Sequence, residues 1–198
     1  MAVSLKKGQK LSLEKGMKMA RIGLGWNLNK YRGIADFDLD ASAFMLREND
    51  RVRRDDDFIF YGQLESLDGS IQHMGDNRVG SDESNENDDE VIQINFEKVP
   101  EYVQKIVITV TIYDAEVLRQ NFGQVSNAYV RLERINSWDD VNGTEVLRYD
   151  LGEDFSIETG VIVCELYRNG SDWKFNAVGQ GVQGGLAALC RKYGVNIG

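Results

Sequence analysis

Carboxylates crowd at three places in this 198-residue chain. Residues 76–90 (DNRVGSDESNENDDE) hold seven Asp or Glu and a single Arg, Asp55-Asp56-Asp57 are consecutive, and Asp36, Asp38 and Asp40 alternate along one stretch. Two like charges 4 Å apart repel by about 1 kcal/mol in water, and by more beside a low-dielectric surface. A fold therefore keeps such clusters solvated or neutralises them, and composition alone leaves both outcomes open. The neutraliser that fits best is Ca²⁺, which takes six to eight oxygen ligands from carboxylates, amides and carbonyls. Asn77, Asn85 and Asn87 could add neutral oxygens, and Gly75 and Gly80 would allow sharp turns. Mg²⁺ fits less well because it keeps several waters, and zinc finds one His and two distant Cys. An EF-hand is excluded: Asp36-x-Asp38-x-Asp40 matches its first half, but the sixth position is Ala41 and the twelfth is Arg47.

Other chemistry finds little support. Gly179-x-Gly181-x-x-Gly184 matches a dinucleotide fingerprint, but too few residues follow for a second parallel strand, so a strand-to-helix turn is expected. The sole histidine, His73, is expected to be exposed at a strand end; no G-x-S-x-G elbow or phosphate-binding loop occurs. Paired carboxylates for glycoside hydrolysis have no sugar-stacking pattern beside them. Lys6, Lys7, Lys10, Lys15, Lys18, Arg21, Lys30 and Arg32 form a basic N-terminal segment. It reads as a solvated strand face, with an anionic membrane surface or acidic partner as the alternative.

The elements that would carry these residues are mostly strands. Two short strands around Gly8 are expected in 3–13, and another over 17–24, ended by Gly25-Trp26. In 35–46, Phe37, Leu39, Ala41 and Ala43 point one way and Asp36, Asp38, Asp40 and Ser42 the other. Short strands are expected at 57–61 and 70–74. Longer ones follow at 91–97, 105–113, 127–135, 144–150, 160–168 and 172–178, each rich in Val, Ile, Thr or Tyr. Short helices are expected at 114–121, with Asp114 as N-cap, and at 183–193. About ten strands and two short helices make an all-β, two-sheet sandwich. We read 75–90 as a binding loop within one domain spanning residues 1–198, because the strand pattern continues unchanged on both sides.

The net charge of −9 conceals an asymmetry: residues 1–32 carry +7, leaving −16 on the rest. Such a body favours cations over nucleic acid. Cys164 and Cys190 read as reduced core residues, and neither an export signal nor a membrane-spanning stretch is evident. A cytoplasmic protein is expected.

Several segments together resemble the TerD family: LGWN (24–27), FDLDASAF (37–44), DDDFIFYGQ (55–63), GDNRVG (75–80), NDDE (87–90), TIYDAE (111–116), RQNFGQV (119–125), RYDLGED (148–154), CELYR (164–168) and AVGQGVQGGL (177–186). The similarity covers essentially the whole chain. It implies a calcium-binding β-sandwich, not an enzyme, associated with tellurite resistance and general stress response, with partners in the stress-response system. It implies one or two Ca²⁺ ions ordering acidic loops. Carried over by position, the implied metal residues are Asp38 and Asp40 of the acidic strand, Asp55 and Asp57 before DFIFY, Asp76 and Asn77 of the GDN turn, and Asp88, Asp89 and Glu90 of the DDE end. This chain departs from the family pattern in the longer link 81–87, which lacks glycine, and in Tyr113, where many relatives have His. The alternatives are a sensor for a small nucleotide-type ligand using the basic N-terminal face and a metal-dependent hydrolase.

Overall fold

The computed structural model describes residues 2–27, 37–75, 88–151 and 155–197. Within them the chain runs β1 (Val3–Leu5), β2 (Lys10–Ser12), β3 (Met19–Asn27), β4 (Leu39–Leu46), a 3₁₀ turn (Asp55–Asp57), β5 (Phe58–Ile59), β6 (Ile71–His73), β7 (Glu90–Asn95), β8 (Lys105–Ile112), α1 (Ala115–Leu118), a second 3₁₀ turn (Phe122–Gln124), β9 (Ser126–Ile135), β10 (Thr144–Asp150), β11 (Gly160–Asn169), β12 (Asp172–Val182) and α2 (Gly185–Tyr193). The strands form two six-stranded sheets, ordered β1-β10-β9-β3-β7-β6 and β2-β12-β11-β8-β4-β5. The expected sandwich is therefore present, with twelve strands among the described residues rather than about ten.

Alternation along each strand builds the layer between the sheets. Ile22 and Leu24 of β3, Ile92 and Ile94 of β7 and Leu132 of β9 meet Leu39, Ala41 and Ala43 of β4 and Ile106 and Ile108 of β8. Each fully buried aliphatic chain contributes about 1.5–3 kcal/mol relative to exposure. The second sheet is covered on its outer face as well. There Phe44, Leu46, Phe58 and Ile162 pack against Leu189, Cys190 and Tyr193 of α2. Phe44 stacks on Phe58 and Phe58 on Phe60, both at 4.5 Å between centroids. This second cover explains why all eight residues of β4 are buried, including Asp40 and Ser42 on the side the alternation marks as polar. Ser42 is satisfied by a 2.7 Å hydrogen bond with Thr109. Both cysteines are buried and free, as expected.

Three elements depart from the sequence reading. β3 does not stop at Gly25 but runs to Asn27, because Trp26 buries its side chain in the core and Gly25 leaves room for the ring of Tyr129. β12 likewise passes through Gly179 and Gly181, so the strand-to-helix turn is confined to the residues just before Gly185. The helix expected over 114–121 is a single turn; Asp114 (φ 49°) and Arg119 (φ 54°) bound it in the left-handed region, and the Asp114 side chain does not cap it. With Glu116, Val117 and Leu118 exposed, this segment has no apolar face to repay the cost of helix nucleation.

Candidate metal centre

One end of the sandwich gathers acidic residues from both sheets. Antiparallel pairing puts Glu90 of β7 opposite Leu24 of β3, and Leu39 of β4 opposite Ile112 of β8. The last turn of β3, the first residues of β4 and β7 and the end of β6 thus share one rim. Gly75 and Asp88, the residues flanking 76–87, lie there too. Asp40, Asp89 and Glu90 are each more than nine-tenths buried. Asp89 accepts a hydrogen bond from the Trp26 amide at 3.0 Å. Asp38 is half-buried, and its carbonyl accepts from the Tyr113 amide at 2.8 Å.

His73 ties this rim together. Its Nε2 lies 3.1 Å from the Ala41 carbonyl of the other sheet and 3.3 Å from Glu90 Oε2, while Nδ1 accepts from the Gly75 amide at 3.2 Å. An accepting Nδ1 places the proton on Nε2, which donates to the carbonyl. The exposed strand-end His expected from sequence is instead a buried bridge between sheets. The sequence carries no clear signal for this, because His73 alternates with Ile71 on the inner face only once the strand is in register.

The other implied metal residues are placed differently. Asp88 turns onto the outer face of the first sheet, where Arg131 Nε donates to its two oxygens at 2.8 and 3.0 Å and Tyr129 donates at 3.1 Å. Gly23 makes that position possible, since a Cβ there would collide with the Asp88 carboxylate. Burial pushes the Asp88 carboxyl above its ordinary value of 3.8 even though Arg131 and Tyr129 pull it down. Asp55 and Asp57 sit at the far end of β4. Phe58 pairs with Phe44, four residues along the strand from Asp40, so roughly 13 Å or more separates the two acidic groups. Asp55 accepts from the Asn196 amide at 2.9 Å. Asp57 accepts from the Arg53 amide at 3.0 Å and from Tyr102 at 2.9 Å, with Arg54 Nε 3.5 Å away. Burial, together with this carboxylate, pushes the Tyr102 phenol up to about 12. Asp76 and Asn77 lie outside the described residues.

Asp57 thus latches the loop before β5 onto the segment before β8. Asp57→Ala leaves a half-buried amide and a phenol without their acceptor. It should cost about 2 kcal/mol in urea unfolding and leave calcium affinity unchanged. A loss of calcium binding without a loss of stability would reverse this assignment.

The donors near this end are hard oxygens that fit Ca²⁺ in chemistry: Asp89 and Glu90 lie beside Trp26 and His73, Asp38 stands at the entry to β4, and Asp40 alternates to the outer face of β4 beside Thr111. Among the described residues no three His, Cys, Asp or Glu side chains converge closely enough to hold a metal ion by themselves. A complete shell would draw on backbone carbonyls or on Asp76 and Asn77. The basic N-terminal face is partly neutralised: Lys18 pairs with Glu97 at 3.0 Å and Arg21 with Glu133 at 2.8 Å. Lys30 and Arg32 lie outside the described residues. Sequence reasoning missed Gly23, His73, Tyr129 and Arg131. Two alternating glycines, Gly23 and Gly25, paired with the outward Arg131 and Tyr129 of β9 are the one signal that could have found the outer-face group; nothing comparable marks His73.

Comparison with known proteins follows the same lines. A model of the TerD domain family matches residues 1–193. The chain is 55% identical to the uncharacterized protein YceE of Bacillus subtilis (strain 168), over the full length of both. It is 53% identical to the tellurium resistance protein TerD of Serratia marcescens, over 99% of each chain. It is 49% identical to general stress protein 16U of Bacillus subtilis (strain 168), over the full length of both. The crystal structure of a homologue of telluride resistance protein (TerD) from Streptomyces coelicolor A3(2) has the same fold. It superposes with a TM-score of 0.66 at 19% identity, covering 87% of this chain and 94% of that one.

Proposed function

The chain belongs to the TerD family, and on that premise we propose that it is a calcium-binding, non-enzymatic protein serving tellurium resistance and general stress response. Its relatives carry those roles in their names. The observation behind the calcium reading is the burial of Asp40, Asp89 and Glu90 at one rim, where Asp38 joins them. A hard divalent ion can be met by several carboxylates at once while tolerating irregular oxygen geometry. Calcium bound there would link β4 of one sheet to β7 of the other and order the acidic segment that joins β6 to β7. The protein would then act as a calcium-ordered surface for partners of the stress-response system. We place it in the cytoplasm, on the support of two free buried cysteines.

Calorimetric titration with calcium tests this reading. We expect saturable binding of one or two ions, weakened at least tenfold in Asp40→Asn and in Glu90→Gln. Titration that yields no heat and no spectral change in the native protein would remove calcium from the account. An assay panel of phosphate esters, peptides and glycosides is expected to show no turnover; turnover abolished by Asp40→Asn would favour the metal-dependent hydrolase instead.

A further inference from the structure

A cavity of about 420 Å³ lies between α1 and the start of α2. That size falls in the range of roughly 300–1,000 Å³ usual for small-molecule sites. Asp40 lines it, Asp114 and Glu116 stand on α1 and its leading edge, and Tyr61 and Tyr113 add aromatic rings that are 42% and 49% exposed. Thr111 contributes a hydroxyl. No Lys, Arg or His is among the described residues of the lining, so its charge is uniformly negative.

Three features set the class of occupant. The carboxylates and the threonine hydroxyl accept hydrogen bonds from N–H donors. Exposed tyrosine rings attract cations to their faces. The three carboxylates do not converge as a metal site, because no such group exists among the described residues. An extended organic cation needs no such convergence and can reach separate carboxylates through separate ammonium groups. Asp114 is also held in the left-handed region without capping α1, so its carboxylate is not spent on the helix it precedes.

We propose that this cavity binds a small organic cation of the primary-amine class, with an aliphatic body between the two tyrosines and ammonium groups at Asp114 and Glu116. Asp40 lines the floor but is assigned to calcium and is not one of the ammonium partners, so the two sites fill independently.

The test is calorimetric titration of the full chain with 1,4-diaminobutane, in millimolar calcium and again in chelator, with 1,4-butanediol as the neutral isostere. Saturable one-to-one binding of the diamine is expected in both media, with none of the diol. Asp114→Asn and Tyr113→Ala should each weaken it about tenfold. Their melting temperatures, read alongside, exclude misfolding. Asp139→Asn, in an exposed acidic loop elsewhere, should leave it unchanged. Three results would overturn the proposal: no saturable heat, equal weakening by Asp139→Asn (diffuse attraction to an acidic surface), or binding only in chelator (the diamine occupying the place of the ion). Each leaves the calcium titration to stand or fall separately.

Discussion

Calcium at a hundred times its dissociation constant should raise the melting temperature by about 5–11 °C, and equimolar magnesium should do far less. An ion that binds only the folded chain stabilises it by RT ln(1 + [L]/Kd), about 2.7 kcal/mol at that excess. For a chain of 150–250 residues, each kcal/mol moves the midpoint by about 2–4 °C. Magnesium lags because it dehydrates reluctantly and demands octahedral geometry, which an irregular rim of strand ends does not offer. The variants sharpen the expectation. The difference in midpoint between calcium and chelator should shrink in Asp40→Asn, because the variant has lost a ligand. Scanning calorimetry of both proteins in both media reads all four midpoints. Superimposable curves for the native protein in calcium and chelator would end the calcium reading.

The sequence reads well where a residue's role depends on its neighbours in the strand, and poorly where it depends on a residue far along the chain. Strands such as 105–113 and 160–168 declare themselves through β-branched residues and alternation. The polar alternation in 35–46 is equally visible, but alternation cannot say that the second face will be covered by α2 and so bury Asp40 and Ser42. Crowded acids announce a charge problem without announcing its solution. Asp88 is answered by Arg131, 43 residues later, Asp57 by Tyr102, 45 residues later, and Asp55 by the Asn196 amide, 141 residues later. The family resemblance treats all nine implied residues alike. Register and sheet order divide the described ones into Asp38, Asp40, Asp89 and Glu90 at one end of the sandwich, an outer-face ion pair at Asp88, and two loop contacts, Asp55 with the Asn196 amide and Asp57 with Tyr102. His73 fails to stand out for the same reason, since its partners come from β4 and β7.

Arg131→Met should lower stability by about 3 kcal/mol, a fall of roughly 6–12 °C in melting temperature, and Asp88→Asn in the same chain should restore most of it. The side chain of Asp88 is only 5% exposed and that of Arg131 22%, so the pair is largely out of water. The Asp88 carboxyl is held above its ordinary value, with burial as the largest cause, although Arg131 touches both of its oxygens. Burial wins at Asp88, but at Arg131 the attraction wins, since the guanidinium is held above its ordinary value despite burial, so the two effects nearly offset one another across the pair. Removing the cation alone leaves a buried charge facing Gly23 and β3, which is the costly outcome; removing both charges leaves an amide that still accepts from Tyr129. Gly23→Ala approaches the same state from the other strand. It displaces Asp88 from Arg131 and should fall between native and Arg131→Met. A double-mutant cycle on urea unfolding separates the pair's coupling from the cost of each truncation. Calcium titration of Asp88→Asn completes the argument. Unchanged affinity fits a carboxylate committed to Arg131, whereas a tenfold loss would mean that calcium draws Asp88 away from the outer face and into the rim.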